Sequence, residues 1–366
     1  MWARRDDVEN TNVTLREVAQ RVGVSMVSVS RALSGKEGVS EATRKRILET
    51  AEEMGYTANL AASALKKKRA TVAIILPEAQ NAGAYYFNYM WKGCHEYIQE
   101  NSIYPISFLE FPYALYRSNS EEEPLLAKLD EVYAQYGSEL DGLITVPATN
   151  SSASRESLKR FVDRGIRVVL IDNDVGELNR LCCIAPNDEN TGRLGAELMC
   201  SMIWQQSGTI LIAAGKEDSP SHRMNTIGFT DYIRTHRPEL NVMVINDPSP
   251  HPSADRYYEC MSDPAIIAAY SVRARNTIPL CNAALRLEAK RKLLLVGSDL
   301  FDESADMLRR GVLKAIIYKN PYQKGYEAIK TLSEVLVKDK APKAESITVP
   351  ISVILRNNLM FFEEFI

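Results

Sequence analysis

The stretch VGVSMVSVSRALSG, Val22 to Gly35, decides how the first part of this chain folds. Its alternation of Val and Ser has the period and propensity of a β-strand. Its flanks say otherwise. In TLREVAQRVG, Thr14 and Glu17 stand three residues apart as a capping box. Leu15, Val18, Ala19 and Val22 then recur on one helical face. Gly23 supplies a turn, Ser25 can cap a second helix that runs to Leu33, and SGKEG closes it. Ser40 caps a third helix, SEATRKRILETAEEMGY, whose buried stripe is expected to be Ile47, Leu48, Ala51 and Met54. Three short helices with so tight a link between the first two form a helix-turn-helix. On this reading VGVSMVSVSRALSG is a helix, with Val24, Val29 and Leu33 turned inward.

The outer side of that second helix is where a major groove would lie. Arg31 suits a bidentate contact to guanine, and Met26 and Val27 suit apolar contact to thymine methyls. Thr14, Ser25 and Ser30 suit phosphate oxygens, which position without specifying sequence. Charge agrees. Residues 14–70 carry a net +5, while the rest of the 366-residue chain carries −8 within an overall −3. A basic module joined to an acidic one points to a nucleic-acid partner for the first alone.

The length suits two or three domains, and the 45% apolar and 25% charged fractions are those of a globular protein. The six cysteines, Cys94, Cys182, Cys183, Cys200, Cys260 and Cys281, form no CxxC pair. A disulfide framework or metal site is therefore not expected, and a cytoplasmic setting is. MWARRDDVENTN has no apolar core of a secretory signal, and no apolar run approaches membrane-spanning length.

From Ala70 onward, apolar strand-like runs alternate with amphipathic helical stretches such as SRESLKRFVDRG and SADMLRRG. The runs are residues 70–76, 104–110, 141–146, 167–172, 208–214, 241–247, 266–271, 292–299, 313–318 and 346–355. This pattern predicts parallel sheets covered on both faces, and ten strands suit two doubly wound sheets. Ligands in such folds bind beyond the carboxyl ends of strands. There the sequence places Asp172, Asn173 and Asp174, then Ser271, Asp299 and Lys319, with the aromatic AYYF (84–87) after the first run. Carboxylates and amides beside aromatic rings suit a polyhydroxylated ligand. Four histidines lie outside any nucleophile or metal motif, and neither a phosphate-binding loop nor a dinucleotide fingerprint occurs. Neither enzymatic activity nor a cofactor is expected.

The segment VTLREVAQRVGVSMVSVSRALSGKEGVSEATRKRILETAEEMGYTANLAASALKKK, Val13 to Lys68, resembles without a gap the DNA-binding headpiece of LacI/GalR-family transcriptional regulators. The resemblance implies that Met26, Val27 and Arg31 hold the base-reading positions. It also implies that NLAASALKK, Asn59 to Lys67, is a hinge helix that orders on the operator, with Leu65 as a minor-groove wedge and Ala62 where two hinges pack. A nine-residue segment is too short to be stable as an isolated helix. Lys66 and the basic residues after it would face phosphates. Ala58 replaces the family's usual Pro.

Residues 71–366 resemble the effector domain that this family shares with periplasmic sugar-binding proteins, through YYFNYMWKG, SHRMNTIGF and GSD…LRRGVLKAIIYKNPYQKGYEAI. The resemblance implies two subdomains joined by crossovers near 172–174, 299–302 and 338–345. Tyr86, Phe87, Asp172, Ser271 and Asp299 then fall at ligand positions. Asn225 stands where the family has Arg, with Arg223 two residues earlier, and Lys319 stands where it usually has Gln. A cation there would favour an acidic ligand, unless it pairs with Asp172 or Asp299.

The expected architecture is an all-α helix-turn-helix headpiece joined to a type I periplasmic-binding-protein-like α/β domain of two doubly wound parallel-sheet subdomains. The expected boundaries are a tail (1–12), the headpiece (13–58), the hinge (59–69) and the effector domain (70–366). Within the last, the N-subdomain takes 70–172 and 302–338, and the C-subdomain takes 173–301 and 345–366. The implied protein is a homodimeric bacterial regulator, a repressor of carbohydrate-metabolism genes, acting at the nucleoid. It would bind near-palindromic double-stranded DNA and answer to a sugar or sugar-acid effector, without contact to a membrane. The other reading, a sugar receptor for transport, predicts a signal peptide and no helix-turn-helix.

Overall fold

The computed structural model describes residues 13–33, 37–54, 69–80, 84–115, 122–247, 249, 251–287 and 291–363. The chain divides into two compact units, one holding the first three helices and the other holding all the strands.

In the first unit, α1 (Leu15–Val22), α2 (Met26–Leu33) and α3 (Glu41–Glu53) form a small bundle. The capping box is complete: the Thr14 N–H donates to Glu17 Oε2 at 2.6 Å, and the Glu17 N–H donates to Thr14 Oγ1 at 3.3 Å. Gly23 ends α1 at φ +77°, where a side chain would be strained, and its N–H returns to the Ala19 carbonyl at 3.0 Å. Ser25 Oγ accepts from the Ser28 N–H at 3.1 Å and so starts α2. Val18, Ala19, Val22, Val29, Ala32, Ile47 and Ala51 form the core, with Val24 and Leu33 packed on it. Two arginines of α3 tie down the ends of its neighbours. Arg44 donates to the Ala32 carbonyl at 2.9 Å and Arg46 to the Val22 carbonyl at 3.1 Å. Both place positive charge at helix C-termini, where it is favourable. Leu48, expected in the core, is 45% exposed. Three helices this short bury only a narrow stripe of α3, and Ile47 and Ala51 fill it.

The second unit holds two six-stranded sheets. The N-subdomain sheet contains β1 (Ala70–Ile75), β2 (Ile106–Glu110), β3 (Gly142–Thr145), β4 (Arg167–Ile171), β5 (Cys182–Ala185) and β11 (Ser346–Thr348), in the order β11-β5-β4-β3-β1-β2. The C-subdomain sheet contains β6 (Gly208–Ala214), β7 (Leu240–Asn246), β8 (Ile266–Ser271), β9 (Leu294–Ser298), β10 (Ala315–Tyr318) and β12 (Ser352–Ile354), in the order β12-β10-β9-β8-β6-β7. The two orders correspond strand for strand. Every pairing is parallel except β10 with β12. The flanking helices are α4 (Phe87–Glu100), α5 (Glu122–Tyr136), α6 (Ser152–Asp163), α7 (Asp188–Met202), α8 (Pro220–His236), α9 (Ala254–Met261), α10 (Ala274–Leu287), α11 (Asp302–Arg309) and α12 (Pro321–Lys338).

The sheets move all three crossovers later than the sequence suggested. β5 pairs with β4, so the chain leaves the N-subdomain between Ala185 and Asp188, not at 172–174. β10 pairs with β9, so the chain returns after Tyr318 rather than at 299–302, and α11 stays with the C-subdomain. β11 pairs with β5, so the last crossing lies between Thr348 and Ser352 rather than at 338–345. Pro350, which lacks an N–H, breaks the apparent single run 346–355 into one short strand per sheet. Cys182–Ala185 is too short to be read as a strand against its loop-rich flanks. A strand's sheet partner is not written in its own letters.

Candidate functional site

On the first unit, Met26 and Val27 are 53% and 61% exposed at the start of α2. Ser30 and Arg31 are exposed one turn further on, and Thr14 and Ser25 are exposed at the helix starts. These two apolar side chains, more than half exposed, are on the same short helix as Arg31. The hinge residues Asn59, Ala62, Leu65 and Lys66 lie outside the described residues.

In the second unit, the carboxyl ends of both sheets face a cavity of about 140 Å³. Tyr86, Phe87, Asp172, Asn225, Asp299 and Lys319, all named from sequence, line it. Two side chains expected there do not. Ser271 is fully buried at the last position of β8, donating to the Arg273 carbonyl at 2.8 Å. Arg223 points away into outer grooves, because two residues along a helix from Asn225 is about 200° of rotation. Asn225 itself accepts from the Tyr270 hydroxyl at 3.0 Å.

Two strand-end aspartates organise the site. Asp172 follows β4 and Asp299 follows β9, which are equivalent strands of the two sheets. Both take the left-handed conformation, at φ +65° and +62°. Aspartate tolerates this better than most residues, and the turn aims each carboxylate across the strand ends. The Tyr86 hydroxyl donates to both Asp172 oxygens, at 3.0 and 2.9 Å. Burial foremost, then the Asp172 charge, raises the Tyr86 phenol well above its ordinary value, so it remains a donor.

Each aspartate has its own lysine. Lys324 in α12, fully buried, lies 2.5 Å from Asp172 and also donates to the Tyr86 hydroxyl. Lys319 lies 3.0 Å from Asp299 and donates to the Val272 carbonyl at 3.1 Å. The cation expected at Lys319 is therefore neutralised by Asp299, and it does not single out an acidic ligand.

Sequence reasoning missed Lys324, Asp188, His222 and Arg275. Lys324 reads as an ordinary helical lysine in NPYQKGYEAI, and Asp188 as a first-turn acid. His222 lines the cavity. Burial foremost, then Lys319 and Arg273, pushes its pKa down to about 3, so the ring is neutral and can donate or accept. Burial pulls the Arg275 guanidinium down to about 10, against the nearby Tyr85. Asp188 is pushed up to about 7 by burial and then by Asp172, against the pull of Lys319 and Lys324.

Comparison with known proteins matches both units. Residues 72–340 match the family described as periplasmic binding protein domain, and residues 14–59 match bacterial regulatory proteins, lacI family. Catabolite control protein A of Priestia megaterium is 45% identical over 71 residues, which are 19% of this chain and 21% of that protein. Catabolite control protein A of Staphylococcus xylosus is 23% identical over 275 residues, 74% of this chain and 77% of that protein. Among solved structures, GanP, a glucose-galactose binding protein from Geobacillus stearothermophilus, superposes with a TM-score of 0.68 at 20% identity. That match covers 80% of this chain and 99% of GanP, and it shows the shared fold. These similarities are to regulators and binding proteins rather than to enzymes. No helix among the described residues is long and apolar enough to cross a membrane. The chain belongs to the periplasmic binding protein domain family, and its N-terminal headpiece is that of the lacI family of bacterial regulatory proteins.

Proposed function

We propose that this protein is a sugar-responsive transcriptional repressor that acts in the cytoplasm as a homodimer on near-palindromic double-stranded DNA. The observation that carries the reading is the pairing in one chain of an exposed α2 reading surface with a carboxylate-lined cleft. Met26, Val27 and Arg31 would read base edges, and Thr14, Ser25 and Ser30 would hold phosphates. Two headpieces on a dimer would grip half-sites about one helical turn apart.

In the cleft, Asp172, Asp299, Asn225 and His222 offer hydrogen bonds to hydroxyls, while Tyr86 and Phe87 offer ring faces. GanP, of the same fold, is described as a glucose-galactose binding protein, which supports a monosaccharide here. A cavity of about 140 Å³ suits one sugar ring rather than a drug-sized molecule. The ligand would favour one angle between the two sheets and so couple the cleft to the operator. A transport receptor would use the same cleft, but it gives no role to the headpiece.

Selection of operator sequences from random DNA, followed by affinity measurement with and without a monosaccharide panel, tests the proposal. Enrichment of a two-fold symmetric site whose affinity shifts at least fivefold with one sugar is the expected result. An affinity indifferent to every sugar that binds the protein would refute the coupling.

A further inference from the structure

The charged and amide side chains that line the cavity either follow β4, as Asp172 does, or belong to the C-subdomain. The rest of the N-subdomain wall is of another kind. Pro77 follows β1, Tyr113 and Leu115 follow β2, and Val146, Pro147 and Ala148 follow β3. Among these six described residues the Tyr113 hydroxyl is the one polar side-chain group, and Tyr113 also lines a groove on the outer face. The backbone of this wall has little to offer either. Pro77 and Pro147 carry no N–H. The Pro77 carbonyl accepts from Trp91 Nε1 at 2.8 Å, the Pro147 carbonyl from Asn173 Nδ2 at 2.9 Å, and the Tyr113 carbonyl from the Glu78 N–H at 2.9 Å. Tyr113 and Leu115 continue into the hydrophobic core behind the wall, and Phe87 packs on the same core.

We infer that the cleft takes a 6-deoxyhexose, its ring hydroxyls turned to the polar side chains and its methyl group set against Leu115 and Val146. The inference rests on the carbohydrate-effector reading and narrows it. The cavity is two-sided: Asp172, Asn225 and Asp299 serve hydroxyls, and the wall built by the ends of β1, β2 and β3 serves an apolar group. A hydroxymethyl group at that wall exchanges water for proline, valine and leucine, so its hydroxyl loses hydrogen bonds without replacement. A methyl group in the same place loses none and adds buried apolar area. The methyl at C5 of a 6-deoxyhexose is the one such group that a hexose ring carries without an added substituent. A cavity of about 140 Å³ holds a single ring with a small substituent, so a sugar with an apolar aglycone does not fit.

The test is calorimetric titration of the full-length protein with matched pairs that differ only in the oxygen at C6. The pairs are D-fucose and D-galactose, D-quinovose and D-glucose, L-fucose and L-galactose, and L-rhamnose and L-mannose. One deoxy sugar is expected to bind about tenfold to a hundredfold more tightly than its partner, the range in which an apolar pocket rejects an added hydroxyl. Val146→Thr and Leu115→Asn, made singly, each put a hydrogen-bonding group on the wall, and at least one should narrow that ratio by about threefold or more. Parity within every pair that binds, or tighter binding of the hydroxylated member, overturns the inference and leaves the carbohydrate reading intact. Absence of binding by all eight sugars also overturns it, and the operator titration against the wider sugar panel then decides the carbohydrate reading separately. A preference unchanged in both variants overturns the assignment to this wall. The wild-type ratio decides the ligand class even if neither variant folds.

Discussion

At the scale of single residues, the two functional surfaces obey opposite rules. Met26 and Val27 are apolar and exposed, whereas Lys324 and Asp299 are charged and buried. Each inversion carries a cost that folding alone does not require, which is why each marks function. Arg31→Ala should weaken specific operator binding by about 1–3 kcal/mol, measured by fluorescence anisotropy, while binding to unrelated DNA changes little. Equal losses on both DNAs would place Arg31 on phosphate instead.

Asp188 yields a pH prediction. Its pKa rises from the ordinary 3.8 to about 7 on folding, so between these values the folded state holds a proton that the unfolded chain has lost. Stability therefore falls as pH rises through this window, and the loss is complete above about 7. Asp188→Asn should show a higher Tm than wild type above pH 7, with the gap closing towards pH 4. A gap that does not vary with pH would mean that Asp188 is ionised throughout.

At the scale of elements, each subdomain rests on a pair of helices pressed together at glycines. A Cβ on Gly325 of α12 would lie 2.1 Å from the Met90 carbonyl oxygen of α4. A Cβ on Gly228 of α8 would lie 2.0 Å from the Glu189 carbonyl oxygen of α7. These contacts hold α12, which carries Lys324, and α7, which starts at Asp188, so packing here positions charge in the cleft. Gly228→Ala should destabilise by about 1–3 kcal/mol through overpacking, although Ala has the better helix propensity by about 1 kcal/mol. Thermal unfolding decides it: a rise in Tm would show that the helices have room to part. The helices and their caps were legible because capping and the 3.6-residue period are local. β5 and the division of 346–355 were not, since a three- or four-residue strand is defined by its neighbour.

At the scale of the whole second unit, two sheets of matching strand order set Asp172 opposite Asp299. Three connecting segments join them, so a ligand held by both sheets links their relative angle to binding. A ligand at one hundred times its Kd should raise the unfolding free energy of this unit by about 2.7 kcal/mol, read from denaturant midpoints. A sugar that binds without shifting the midpoint would be binding the unfolded chain equally well.

The sequence by itself determined the headpiece, its three caps, the alternation of strands and helices, and the strand-end residues Asp172, Asp299 and Lys319. All of these follow from patterns a few residues long. Only the tertiary structure decided which sheet β5, β10 and β11 join, that Ser271 and Arg223 turn away from the cleft, and that Lys324 and Asp188 enter it. The reason is distance along the chain. Lys324 meets Tyr86 across 238 residues and Asp172 across 152, and no local pattern records such a meeting. VGVSMVSVSRALSG shows the same division in miniature. Its letters favour a strand, and the burial of Val29 against α1 and α3 makes Met26–Leu33 within it a helix.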